Sequence, residues 1–206
     1  MTMSTTEVTT RSDDRRQALI VVGGMAVLMW VLEIIDQVSG GNLDQYGIKP
    51  HEADGLFPGI VSAPFLHAGF GHLEGNTVPF LLLGGAIALS GLRRVVLATV
   101  TIALVGGLGV WIFASSGTDH IGASGLVFGY AAYLIGRGFF SRSLLHFGVG
   151  VLVIGVYGTT LLFGLAPRDG ISWQGHLFGA VGGVVAARLL DVRRVRQEPD
   201  PLANLR

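Results

Sequence analysis

Six apolar stretches, each roughly twenty residues long, constrain this chain more than any other feature, because a helix of that length crosses a hydrocarbon core of about 30 Å. They cover residues 18–38, 72–90, 95–114, 124–140, 144–165 and 175–190. Half of the 206 residues are hydrophobic and only 14% are charged, too little polar material to solubilise a globule of this size. The expected fold is all-α, a polytopic bundle of six transmembrane helices. Residues 1–17, polar and rich in Thr and charge, predict a disordered tail before a membrane domain over 18–190, and residues 191–206 predict a second, basic and polar tail. The first stretch is too long for a cleaved leader and lacks a small-residue cleavage site. Residues 39–65 mix Gly, Pro and Asp with apolar patches, which predicts a long outer loop lying partly in the interface.

The net charge of zero hides a strong segregation. Alternating the connections puts Arg11, Arg15, Arg16, Arg93, Arg94, Arg137, Arg142, Arg188, Arg193, Arg194, Arg196 and Arg206 on one side, against Lys49 and Arg168 on the other. Basic residues mark the cytoplasmic face, so both termini are expected there. Glu33 and Asp36, near the far end of the first stretch, are expected as solvated interfacial carboxylates. The chain has no Cys, which excludes disulfides, thiolate nucleophiles and thiolate metal sites. Nothing in the sequence calls for a metal or organic cofactor, and no basic aromatic surface suits nucleic acid.

Stretches two, four and six run in the same direction, and helix rise places polar residues from each at one depth. Ser124 stands about 20 Å above Arg137, His176 about 18 Å above Arg188, and Asn76 about 22 Å above Gly91, with His72 one turn higher. The fourth stretch covers only about 25 Å, so its serine is expected at a helix start sunk inside the bilayer. Irregular backbone at that depth must be satisfied by protein or trapped water, and a water-filled cavity open to the outside follows. Gly175, Gly179 and Gly183 in stretch six, with Gly125 and Gly129 in stretch four, form small-xxx-small faces that let two helices approach closely.

Those residue types permit acyl transfer. A serine hydroxyl needs a base to take its proton, and neutral imidazole does this at physiological pH. Ser124 is the candidate nucleophile and His176 the candidate base, acting as a dyad, since the nearest acid, Asp169, belongs to the outer loop. His72 and Asn76, at i and i+4, share a helix face and, with the Ser124 backbone N–H, are candidate oxyanion donors. Interhelical packing by Gly/Ser and hydrogen bonding by Asn are the plainer readings of each residue alone.

Gly122-Ala123-Ser124-Gly125, the His72-x-x-x-Asn76 pair with Phe65-Leu66-His67 upstream, and Gly175-His176 opening a glycine-spaced last helix together resemble the rhomboid family of intramembrane serine proteases. The resemblance implies a rhomboid-like six-helix bundle of bacterial type in the cell membrane. It implies an endopeptidase cutting in or beside the transmembrane segment of membrane-anchored protein substrates. On it, Ser124 and His176 match the catalytic dyad, while His72, Asn76 and the Ser124 amide match the oxyanion site. Gly122, Gly125, Phe128 and Gly179 would support them. Phe128 stands where many members carry a Tyr that stacks on the catalytic His, and residues 39–65 lack the Trp-Arg pair of some bacterial members.

Two other readings remain open on the sequence. One is a rhomboid-like protein that binds transmembrane helices without cutting them; the other is a haem protein ligated by His72 and His176, which leaves Ser124 and Asn76 without a task. His51, His67, His120 and His146 are expected in interfacial or structural roles, and Glu74 points about 200° away from its two polar neighbours.

Overall fold

Each of the six apolar stretches is a helix, and the computed structural model, which describes residues 5–168 and 170–197, adds a seventh short one between the first two. In chain order these are α1 (Thr5–Ser39), α2 (Ala53–Ser62), α3 (Phe70–Ala88), α4 (Leu92–Phe113), α5 (Ser124–Phe140), α6 (Leu144–Gly164) and α7 (Trp173–Gln197). Single 3₁₀ turns occupy Leu43–Tyr46 and Ala63–Phe65. Among the described residues there is no β-strand, only isolated bridges pairing Ile48 with His120 and Arg168 with Ile171. The outer loop of residues 39–65 thus contains α2 and the two turns. Phe57 on α2 is 76% exposed, as suits a segment resting on an apolar interface.

Helix α5 is the centre of the bundle, packed against α3, α4, α6 and above all α7. Its tyrosines 130 and 133 are fully buried among Phe80 of α3, Ile102 of α4 and Ala186 and Ala187 of α7. Helix α1 closes one flank against α3, where Trp30 Nε1 donates to Thr77 Oγ1 at 3.1 Å. Helix α6 packs chiefly on α5 and turns Leu144, Leu145, Leu152 and Leu162 outward, the first of them 90% exposed. Water would not tolerate so much contiguous apolar surface; lipid does. Helices α1, α4 and α6 are long and apolar enough to cross a membrane on length and composition alone. Helices α3, α5 and α7 do not meet that measure: α5 has only 17 residues, and α3 and α7 bring polar side chains into the interior.

Three expectations are corrected. The first tail is not irregular: α1 is helical from Thr5, since no Pro or Gly interrupts residues 5–22. Asp14 there accepts the Leu92 N–H at 3.2 Å, capping the start of α4. The last helix does not end at Leu190 but continues to Gln197. Asp191, placed in the second tail by its charge, is 1% exposed and pairs with Arg94 and Arg137. Glu33 and Asp36 are buried rather than solvated. Gln37 donates to Glu33 Oε1 at 2.8 Å, and Asp36 Oδ1 takes the Leu43 N–H at 2.6 Å. Their helix stops there because Gly40 adopts φ +94°, and the Gly41 N–H returns to Asp36 O. Asp169, residues 1–4 and the end of the second tail lie outside the described residues.

Asp14 beside Leu92, and Asp191 beside Arg94, bring the described ends of α1 and α7 to the same end of the bundle as Arg94 and Arg137. Ser124 and His176 lie toward the other end, where α5 and α7 begin.

Candidate active site

The glycine faces act as expected and set the distance between the two candidate reacting groups. A Cβ at Gly179 would run into the carbonyl oxygen of Gly125, and one at Gly183 into that of Gly129. With hydrogen at those positions α5 and α7 touch through their backbones, and Ser124 Oγ comes to 2.9 Å from His176 Nε2. His176 Nδ1 is 2.7 Å from the carbonyl oxygen of Gly164. A carbonyl only accepts, so Nδ1 carries the proton and Nε2 has a lone pair for the Ser124 hydroxyl. Phe128 stacks on the His176 ring at 4.1 Å between centroids and 7° between planes.

The backbone leading to Ser124 is held by protein, as irregular structure at that depth requires. Gly122 N–H donates to Ala63 O at 2.8 Å, and the Ala123 N–H donates to His67 Nε2 at 3.2 Å. Gly122 has φ +108°, a region costly for other residues, and a Cβ there would sit 2.7 Å from His72 Cε1. His72 Nδ1 faces the Ala68 N–H at 3.4 Å, which leaves Nε2 as the donor. Asn76 Nδ2 donates to the His72 carbonyl at 2.8 Å and has a second N–H to offer. His72, Asn76, Ser124, Phe128 and His176 all line one cavity of about 1270 Å³. Asp44, Asp119 and Arg168 from the loops line it as well, so it reaches the end of the molecule away from Arg94 and Arg137.

The Rhomboid domain family model matches residues 55–192. The chain belongs to the rhomboid family. Its relatives include an uncharacterised Mycobacterium tuberculosis protein, 48% identical over 82% of this chain and 76% of the relative. A Mycobacterium leprae protein is 42% identical over 87% of this chain and 76% of its own length. The rhomboid protease GluP of Bacillus subtilis is 28% identical over 75% of this chain and 31% of its length. This rhomboid is thus an integral membrane protein of a family of intramembrane serine proteases that act on membrane proteins.

The four side chains singled out in this rhomboid's sequence line the cavity together with Phe128, whereas Gly122 lies against His72, and Gly125 and Gly179 meet at the contact between α5 and α7. Three partners were not foreseen. The Gly164 carbonyl carries no side-chain signal at all. Ser172, whose hydroxyl oxygen takes the Gly175 N–H at 3.2 Å at the start of α7, could have been found as an N-cap residue three positions before Gly175. His67, expected in an interfacial or structural role, accepts the Ala123 N–H immediately before the serine. Glu74 is exposed, away from the site.

Burial lowers His67 to about 4, with His72 adding to the effect and the Phe65 carbonyl opposing it. Between its usual 6.5 and about 4, the unfolded chain takes up a proton that the folded protein refuses, so folding stability falls as pH drops through that window. Asp44, raised to about 6 by burial and then by Asp36 and Glu33, has the opposite sign below that pH. The His67 contribution is therefore read as a difference. Wild type is expected to lose more thermal stability from pH 6.5 to 4 than His67→Gln, which keeps an acceptor for Ala123, by up to about 3 kcal/mol. Parallel melting curves for the two proteins would refute this.

Proposed function

We propose that this rhomboid is an active endopeptidase that cleaves a peptide bond in or next to the transmembrane segment of a membrane-anchored protein. The observation carrying that reading is the 2.9 Å approach of Ser124 Oγ to His176 Nε2, with the other imidazole nitrogen oriented by a backbone carbonyl. In this mechanism His176 takes the Ser124 proton as the oxygen attacks the scissile carbonyl. Negative charge then develops on the carbonyl oxygen, where His72 Nε2–H, the free Asn76 N–H and the Ser124 amide can donate. The His176 imidazolium gives its proton to the departing amine, and a water repeats the sequence on the acyl-enzyme. The Gly164 carbonyl orients the ring as a carboxylate does in a triad, without adding a full negative charge.

Helices α3 and α6 both line the cavity, through Pro79 and Leu83 on one side and Tyr157 and Leu161 on the other. A substrate helix moving laterally in the bilayer has its shortest route to Ser124 there. The basic residues gathered at the opposite end support cytoplasmic termini, with the cavity opening to the outer side.

Labelling of detergent-purified protein with a fluorescent fluorophosphonate tests the nucleophile. Wild type should react, and Ser124→Ala should not. A wild type that stays unlabelled while another membrane serine protease reacts would favour the non-cutting binder. Asn76→Ala is expected to slow cleavage roughly 10²- to 10³-fold, as one oxyanion donor among several. An unchanged rate would assign Asn76 to packing alone.

A further inference from the structure

The proposed chemistry leaves His120 without a task, although both nitrogens of its ring are engaged. It lies in the turn four residues before Ser124, with Nδ1 2.6 Å from Ser172 Oγ and Nε2 2.9 Å from Thr118 Oγ1. The neighbouring groups decide which nitrogen bears the proton. Thr118 donates its own proton to the Ser115 carbonyl at 2.6 Å, so it accepts from the ring and Nε2 is the protonated nitrogen. Ser172 Oγ accepts the Gly175 N–H at 3.2 Å, which leaves its hydroxyl proton for Nδ1. One direction of donation then satisfies every group, from Gly175 through Ser172, His120 and Thr118 to the Ser115 carbonyl. The opposite tautomer would set the Nε2 lone pair against the Thr118 oxygen. Burial lowers His120 from the usual imidazole range, against the pull of Asp119, so the neutral ring this chain needs is the one present at neutral pH.

This run of hydrogen bonds is attached at Ser172 to the start of α7 and at His120 to the turn before Ser124. The Ser172 hydroxyl is the N-cap of α7, taking the Gly175 N–H, and the Ser172 carbonyl takes the His176 N–H at 3.1 Å. His120 itself exchanges two main-chain hydrogen bonds of 3.0 Å with Ile48, which hold the turn before Ser124 against the outer loop. The hydroxyl that His120 orients is therefore the one that starts the helix bearing His176.

We infer that His120 is a positioning residue, orienting the Ser172 cap so that the first turn of α7, and with it His176, is held in register with the turn that precedes Ser124. The inference rests on reading Ser124 and His176 as the reacting pair. It deepens that reading, because a misplacement of about 1 Å between reacting groups can cost some 10²-fold in rate.

Two readouts test it. In protein carrying ¹⁵N-labelled histidine in detergent micelles, His120 should show the neutral Nε2–H tautomer. Ser172→Ala should move its Nδ1 signal, and His120→Ala should move the imidazole signals of His176. Neither result depends on turnover. The second readout is the rate of fluorophosphonate labelling per folded molecule. His120→Ala and Ser172→Ala should each lower it roughly 10²-fold. The double variant should be no slower than the worse single one, because the two residues act as a unit. Ser172→Thr, which keeps a hydroxyl, should recover most of the loss. Should His120→Ala fail to fold, Ser172→Ala tests the same hydrogen bond from its other side. An Nδ1–H tautomer, unmoved His176 signals or fully additive losses would each overturn the inference. Signals as expected in a wild type that never labels would leave the coupling standing and overturn the reading of Ser124 as nucleophile.

Discussion

Ser124→Ala is expected to lower the rate at which a membrane-anchored substrate is cut by about 10⁶-fold, the scale seen when a serine hydrolase loses its nucleophile. The fold should be unaffected. Ser124 opens α5, its hydroxyl points to His176 Nε2, and the packing of α5 on α7 is made by glycines further along both helices. His176→Ala should cost as much, since a hydroxyl without its base is no better than none. The double variant should be no slower than either single one, because the two groups work as one unit. Cleavage of a single-span substrate in liposomes, followed by gel, is the measurement, with thermal unfolding run alongside. Turnover by either folded variant would remove the dyad. His176→Ala also removes the ring that stacks on Phe128, so its melting temperature should drop where that of Ser124→Ala does not.

The second large effect lies at the other end of the bundle. Asp191→Ala is expected to destabilise the protein by about 3–5 kcal/mol, the cost of stranding buried charge by removing one partner. Asp191 Oδ1 is 2.9 Å from Arg94 Nη1 and 3.4 Å from Arg137 Nε. Arg94 also donates to Tyr133 OH at 2.8 Å, and Arg137 Nη1 donates to Ser90 Oγ at 2.7 Å. These links join the turn between α3 and α4 to α4, α5 and α7, all close to the membrane surface. Without the carboxylate, two guanidinium groups face each other with little water. Asp191→Asn keeps the shape and one hydrogen bond and should fall between wild type and Asp191→Ala. Unfolding in detergent, by heat or denaturant, measures the loss. A melting temperature unchanged in Asp191→Ala would mean that the pair is solvated and contributes little.

Much of the site was legible because membrane helices have few ways to vary. Rise along a helix is fixed, so Ser124, His176, His72 and Asn76 could be assigned to one depth by counting from basic residues. Close approach needs small side chains, so the spacing of Gly175, Gly179 and Gly183 against Gly125 and Gly129 pointed to the pair of helices that touch. Charge was the poorer guide. Asp191, Glu33 and Asp36 were expected in solvent because carboxylates seldom enter apolar surroundings, yet all three are buried: Glu33 and Asp36 beside donors a few residues along the chain, Asp191 beside two arginines that only folding brings near.

By itself, then, the sequence determined what depends on local periodicity and spacing: an all-α membrane bundle, the short fourth span beginning at a serine, and the close approach of the fourth and sixth spans. Beyond the pairing of Ser124 with His176, only the tertiary structure decided which polar groups meet. The Gly164 carbonyl on His176, His67 on the Ala123 amide, Ser172 on His120 and Asp191 between two arginines all join residues distant in the chain. The reason is physical: a hydrogen bond is made or lost over about an ångström, a distance set by how whole helices pack and by no pattern along any one of them.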